Sequence, residues 1–179
     1  ASKVAQELFA KVAFQAYGTK VCLARPFAHE GPRRGKEFAT SDFALQIIAI
    51  ERGARKEPII YYGNLETFRD YTHVLDMVRM YEELMHTFVP GEAYNLSSGR
   101  ESSIKDVIET YIKVSGLKGV RLERNPKFTR PTQASYLVGN PEKVFKAIKF
   151  RPTLTLEDIC RDMLHYWRER FDSLPDWKA

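Results

Sequence analysis

Four arginines stand out for where they fall. Arg33, Arg34, Arg69 and Arg130 lie in stretches that read as loops near glycine or proline, not on a solvated helix face. A guanidinium fork grips phosphate oxygens in pairs. Loops at strand ends are where α/β proteins hold ligands. One such arginine is ordinarily surface charge; four together point to an anionic, phosphorylated ligand. The loop AHEGPRRG, residues 28–35, sets a potential acid/base, His29, beside two of these cations. A lone loop histidine is more often structural than catalytic. His73, His86 and His165 fall on or near helices and read as structural. Asp70 and Asp76 flank a helix start, where capping or an ion pair with Arg69 explains them better than paired catalytic carboxylates.

Composition narrows the classes. The 179 residues include 44% hydrophobic and 12% aromatic side chains, enough for a sizeable core, with a net charge of +5. That charge suits an anionic ligand but is too dispersed to argue for nucleic acid. Aromatics fall in helical stripes instead of interleaving with Lys and Arg, which disfavours a nucleic-acid domain. No apolar run reaches the roughly 20 residues that span a bilayer. Cys22 and Cys160, with four histidines, make neither a disulfide framework nor a metal site, and a reducing cytoplasm is the expected compartment. The sequence contains no G-x-G-x-x-G, no G-x-x-x-x-G-K-[ST] and no G-x-S-x-G.

The elements that must position these residues alternate between helix and short strand, an α/β class. Ala5, Leu8, Phe9, Val12, Ala13 and Ala16 recur at helical spacing until Gly18, in a helix already under way at Ala1. Strands are expected at 21–24, 58–62, 93–96 and 120–123. Helices are expected from Ser41 to Gly53, and over Val74–Met85 with Met77, Val78, Tyr81, Leu84 and Met85 inward. Another follows a cap at Ser102 or Ser103, and a short one starts at Asn140-Pro141. Thr155 and Asp158 spell a capping box before the last helix.

Five segments, in order and at matching spacing, resemble the C-terminal half of an extended short-chain dehydrogenase/reductase of the nucleotide-sugar epimerase/dehydratase group. Ala-Ser-Lys at the start resembles the end of that family's Tyr-x-x-x-Lys motif. RPFAHEGPRRG resembles its Arg-x-Phe-Asn-His-x-x-Pro-Arg loop. GNLETFRDYTHVLDMV, YNLSSGRESSIKDVI and the stretch from RPTQASYLVGNPEKVF to the end resemble its three later signatures. The likeness is greatest to the branch of GDP-mannose 4,6-dehydratases and GDP-6-deoxy-4-keto-mannose reductases.

This resemblance implies the end of a Rossmann half over residues 1–60 and a mainly substrate-binding part, interleaved with it, over 61–179. It implies an NADP (or NAD) cofactor, a GDP-sugar substrate and a homo-oligomer through the first helix. Lys3 is then the catalytic-motif lysine, lowering the pKa of a tyrosine four residues earlier and holding the nicotinamide ribose. His29 and Arg34 fall at the cofactor. Ser41, with its neighbours Thr40 and Phe38, falls at the nucleotide base, and Arg69 and Arg130 fall at the substrate diphosphate. The family's asparagine after Phe is Ala28 here, which puts the substrate chemistry in question. The chain thus reads as a fragment of the reductase. The dehydratase and a non-catalytic nucleotide-sugar-binding remnant are the alternatives.

Overall fold

The computed structural model describes residues 2–128 and 134–174. The chain opens with α1 (Ser2–Tyr17), then β1 (Leu23–Pro26), β2 (His29–Glu30) and α2 (Ala39–Glu51). β3 (Ile59–Tyr62), β4 (Phe68–Asp70) and β5 (Thr72–His73) lead into α3 (Val74–Thr87). β6 (Ala93–Leu96), β7 (Glu101–Ser103) and α4 (Ile104–Ser115) follow. The last described elements are β8 (Arg121–Arg124), β9 (Tyr136–Leu137), α5 (Glu142–Ala147) and α6 (Leu156–Arg168).

Strands pair mostly in parallel, as crossover helices require. β1 lies beside β6, β2 beside β5 and β3 beside β8, all parallel. β4 is central to a three-stranded sheet, antiparallel to β7 and parallel to β9. The four strands expected from apolar runs are β1, β3, β6 and β8, within two residues of the expected bounds. β2, β4, β5, β7 and β9 lie outside the strands expected from sequence. They are two or three residues long, too short for periodicity, and only distant partners define them.

Two apolar groups make the core. α2, α4 and α6 pack together through Leu45, Ile47, Ile48, Ile108, Tyr111, Ile159 and Met163. α3 packs on β6 and α5 through Met77, Met80, Leu84, Tyr94, Leu96 and Val144. Residues 43–49 are all buried, as expected of a helix enclosed on every side. Ser103 caps α4 and Thr155 caps α6, each in a complete capping box.

Two expected core stripes are corrected. α1 buries none of its residues; Leu8, Phe9 and Val12 are all more than half exposed, because no described residue covers that face. Its tether to β1 is polar, with Arg25 donating to both Glu7 carboxylate oxygens at 2.7 and 2.6 Å. On α3, Met77 and Leu84 are buried with Met80, but Val78, Tyr81 and Met85 are exposed. Cys22 and Cys160 are free thiols.

Asp70 and Asp76 are interior latches. Asp70, fully buried, accepts hydrogen bonds from the Ser98 backbone N–H and hydroxyl, from the Gly99 N–H and from the Thr72 hydroxyl. No ion pair with Arg69 forms, since adjacent strand residues point to opposite faces. Asp76 accepts the N–H groups of Thr153 and Leu154, both at 2.8 Å. His73 caps α3 through Nδ1, which accepts the Leu75 N–H, while Nε2 lies 3.2 Å from Asp162 Oδ2.

Removing a buried acceptor strands its donors, at about 1–3 kcal/mol for each unsatisfied group. Asp70→Ala should therefore lower unfolding free energy by at least about 2–3 kcal/mol, while losing the Ser103 cap (Ser103→Ala) costs only about 1 kcal/mol. Urea unfolding of the two variants checks the ordering.

Candidate functional site

The strand-end loop between β2 and α2 is shaped by local backbone demands. Arg33 adopts φ +73°, the one non-glycine residue with positive φ among those described. Pro32 and Arg33 turn the chain, and the Arg34 N–H returns to the Gly31 carbonyl at 3.2 Å. Gly31 is required because a Cβ there would lie 2.5 Å from Val74 Cγ1 at the start of α3. The turn directs Arg34 toward the body of the protein, its guanidinium stacked on the Phe38 ring at 3.6 Å from the centroid.

Arg34 forms one wall of a cleft of about 420 Å³. The turn before α2 and its first residues form one side, the end of β3 and Phe128 another, and Arg69 and Tyr71 a third. Gly63 makes this possible: a Cβ there would lie 2.5 Å from the Phe128 carbonyl oxygen, so only glycine lets that segment lie against the end of β3. Lys36 and Lys127 add positive charge, while Glu30, Glu37 and Asp42 add carboxylates.

Glu30 lies at the base of the cleft, 4% exposed. Its Oε2 accepts the Thr40 hydroxyl at 2.6 Å and lies 3.4 Å from Arg34 Nε. Burial pushes the Glu30 acid above the ordinary carboxylate range; the Thr40 bond and the charges of Arg34 and His29 oppose this and do not cancel it. Burial likewise pushes the Tyr71 phenol well up, with the Glu30 charge adding to the shift. Arg34 Nε is itself buried without a hydrogen bond of good geometry. Arg34 thus enters the cleft wall ion-paired with Glu30 and stacked on Phe38.

Each sequence-derived site residue has a definite place, save one. Arg34 and Arg69 meet at the cleft. Arg69 donates to the Phe68 carbonyl at 2.7 Å and to Ala134 O at 2.8 Å. Arg130 lies outside the described residues. Ser41 is fully buried and donates to the Arg34 carbonyl at 3.0 Å, so it braces the loop and does not line the cleft, whereas its neighbours Thr40 and Phe38 do. His29 is half-buried beside the cleft, with Nδ1 2.9 Å from the Phe27 carbonyl. Lys3 is exposed in the first turn of α1 and donates to Gln6 Oε1 at 3.2 Å. Glu30, Asp42, Tyr71 and Phe128 were not singled out from sequence. The spacing of Glu30 and Arg34, four apart across a turn, was the one available signal. An acid in a helix's first turn, as Asp42 is, gives no such signal by itself.

The arrangement has solved counterparts. The structure of RMD from Pseudomonas aeruginosa in complex with NADPH superposes with a TM-score of 0.87 at 25% identity, over 94% of this chain and 55% of that one. The fold is therefore that of the Rossmann-type short-chain dehydrogenases/reductases. Residues 1–163 match the family described as GDP-mannose 4,6 dehydratase, and the chain belongs to that family. It is 25% identical over 178 residues to the GDP-mannose 4,6-dehydratase of Yersinia enterocolitica, covering 84% of this chain and 47% of that protein. It is 26% identical over 153 residues to the GDP-6-deoxy-D-mannose reductase of Pseudomonas aeruginosa, covering 86% and 50%. The chain spans about half the length of these relatives.

The Glu30 environment has a measurable signature. An acid whose folded pKa is raised binds more protons folded than unfolded, so its contribution to stability falls as pH rises from about 4.5 through the folded value. Glu30→Gln removes that titration. The stability of the variant relative to the parent should therefore increase between pH 4.5 and pH 8, as measured by denaturant unfolding at each pH.

Proposed function

We propose that this chain is the nucleotide-sugar-binding part of an NADP- or NAD-dependent oxidoreductase that acts as a GDP-4-keto-6-deoxy-mannose reductase in deoxyhexose synthesis. The observation that carries the reading is the cleft itself: ligand-sized, walled by Arg34 and Arg69, lined by Phe38, Tyr61, Tyr62 and Phe128. Arginine forks suit a diphosphate and aromatic faces suit a base. The segment FATSDFALQIIAIERG, with the following EPII and GNLE, favours the reductase. The second reading, GDP-mannose 4,6-dehydratase, is favoured by the loop HEGPRRG and by the relative from Yersinia enterocolitica.

In this reading Arg69 grips the diphosphate, with Arg130 as its partner. Ser41 acts through its bond to the Arg34 carbonyl, holding the loop that carries that arginine. His29, Arg34 and Lys3 serve the dinucleotide, which supplies the hydride when bound. The Arg34 guanidinium at the cleft wall fits an anionic group of that kind. Lys3 is exposed in the first turn of α1 and does not line the cleft, so it would serve the dinucleotide from outside it. The exposed Leu8, Phe9 and Val12 of that helix suit the homo-oligomer that the resemblance implies. No helix among the described residues is long and apolar enough to cross a membrane.

GDP at 100 times its dissociation constant should stabilise the chain by about 2.7 kcal/mol, visible as a raised melting temperature. Arg69→Ala should weaken GDP binding about tenfold or more, and Arg69→Lys should recover only part, because a point charge cannot make the two-pronged contact. If Arg69 serves only to hold Ala134, Arg69→Ala will lower stability and leave affinity unchanged; titration and melting of one variant separate the two. The 179-residue chain alone should consume no NADPH with a nucleotide sugar, since it contains no glycine-rich dinucleotide turn.

A further inference from the structure

One carboxylate on the cleft wall has no part in holding phosphate. Asp42 sits in the first turn of α2 and lines the cleft, close in sequence to Phe38. Its Oδ2 accepts a hydrogen bond from Gln46 Nε2 at 2.7 Å. Gln46 is 1% exposed and saturated. Its second N–H goes to the Tyr61 carbonyl at 3.1 Å, and its Oε1 accepts the Tyr61 N–H and the Arg55 guanidinium, each at 2.8 Å. Rotating Gln46 would break four hydrogen bonds, so it holds Asp42 in one orientation. Asp42 Oδ1 makes no hydrogen bond among the described residues and is not sealed in the core. A rigidly held carboxylate therefore lines a cleft that Phe38, Tyr61, Tyr62 and Phe128 also line.

An acid in a first turn ordinarily serves the helix dipole, which favours its charged form. Burial instead pushes the Asp42 acid above its ordinary value, against the Gln46 bond and the Arg55 charge. Holding a half-buried carboxylate this way, with lone pairs left open, suits a ligand that brings N–H donors.

We infer that Asp42 selects the nucleobase, its carboxylate accepting a ring N–H and an adjacent exocyclic amine, the donor pair that guanine presents. Uracil and thymine offer one ring N–H between two carbonyls, which a carboxylate repels. Adenine offers an amine beside a ring acceptor. The aromatic faces hold any base; Asp42 decides which one stays. This inference rests on the nucleotide-sugar reading of the cleft.

Calorimetric titration of the 179-residue chain with three diphosphates tests it. GDP should bind at least about tenfold more tightly than UDP, and inosine diphosphate, which lacks the 2-amino group, should fall between them. Asp42→Asn keeps the shape and the oxygen that Gln46 needs, but turns an N–H₂ toward the ligand. It should lower GDP affinity about tenfold and bind xanthosine diphosphate, which has a carbonyl where guanine has the amine, more tightly than GDP. Asp42→Ala should lose GDP affinity without gaining xanthosine diphosphate. Circular dichroism melts establish that each variant is folded. Equal affinity of the parent chain for GDP and UDP, or an Asp42→Asn variant that keeps its preference for GDP, overturns the role of Asp42 and leaves the nucleotide-sugar reading standing. A folded parent chain that binds none of the diphosphates at millimolar concentration overturns that reading and this inference with it.

Discussion

A fully buried carboxylate, Asp70, fixes the ground on which the cleft is built. Its two oxygens accept donors from the Ser98–Gly99 turn and from Thr72, joining β4, β5 and the β6–β7 connection. A buried carboxyl group without a cation is tolerable in the interior only when several N–H and O–H groups surround it. Once Asp70 faces inward, strand alternation turns Arg69 toward the cleft. The same register sets Phe68 and Arg69 beside Tyr136 and Leu137 of β9, so the arginine also meets the Ala134 carbonyl. The cation that matters most in the proposed site is thus placed by its neighbour's hydrogen bonds.

A second constraint comes from the enclosure of α2. A helix buried on nearly every side must satisfy any polar group it carries. Thr40 does so through Glu30, Ser41 through the Arg34 carbonyl, and Gln46 through four hydrogen bonds to Asp42, Tyr61 and Arg55. The bonds of Thr40, of Ser41 and of Gln46 to Tyr61 tie the core to the loop and strand that wall the cleft. Packing and site therefore share the same polar groups. A substitution at Thr40 or Gln46 acts on both stability and ligand contacts.

Much of this was legible in the sequence. Apolar runs gave β1, β3, β6 and β8, and cap residues gave the starts of α4 and α6, because those signals are local. The arginines pointed to cationic walls, and Arg34 and Arg69 both line the cleft. What stayed hidden depends on distant partners. Nothing in FRD, TH or ESS signals a strand until β4, β5 and β7 meet their neighbours. Ser41 read as a ligand group, yet helix phase turns it inward, and Asp42, one position on, takes the cleft. The apolar stripe of α1 has the same period as a core stripe, and periodicity alone says nothing of what covers it. Asp70 and Asp76 read as helix-terminal acids, while their true donors lie 28–29 and 77–78 positions away in sequence.

The central claim is that the cleft between Arg34 and Arg69 receives a nucleotide diphosphate. A crystal structure of the chain grown with GDP tests it most directly. The account predicts density for the base inside the cleft and diphosphate oxygens within about 3 Å of the Arg69 guanidinium. GDP bound outside this cleft, with Arg69 still donating only to the Phe68 and Ala134 carbonyls, would contradict it.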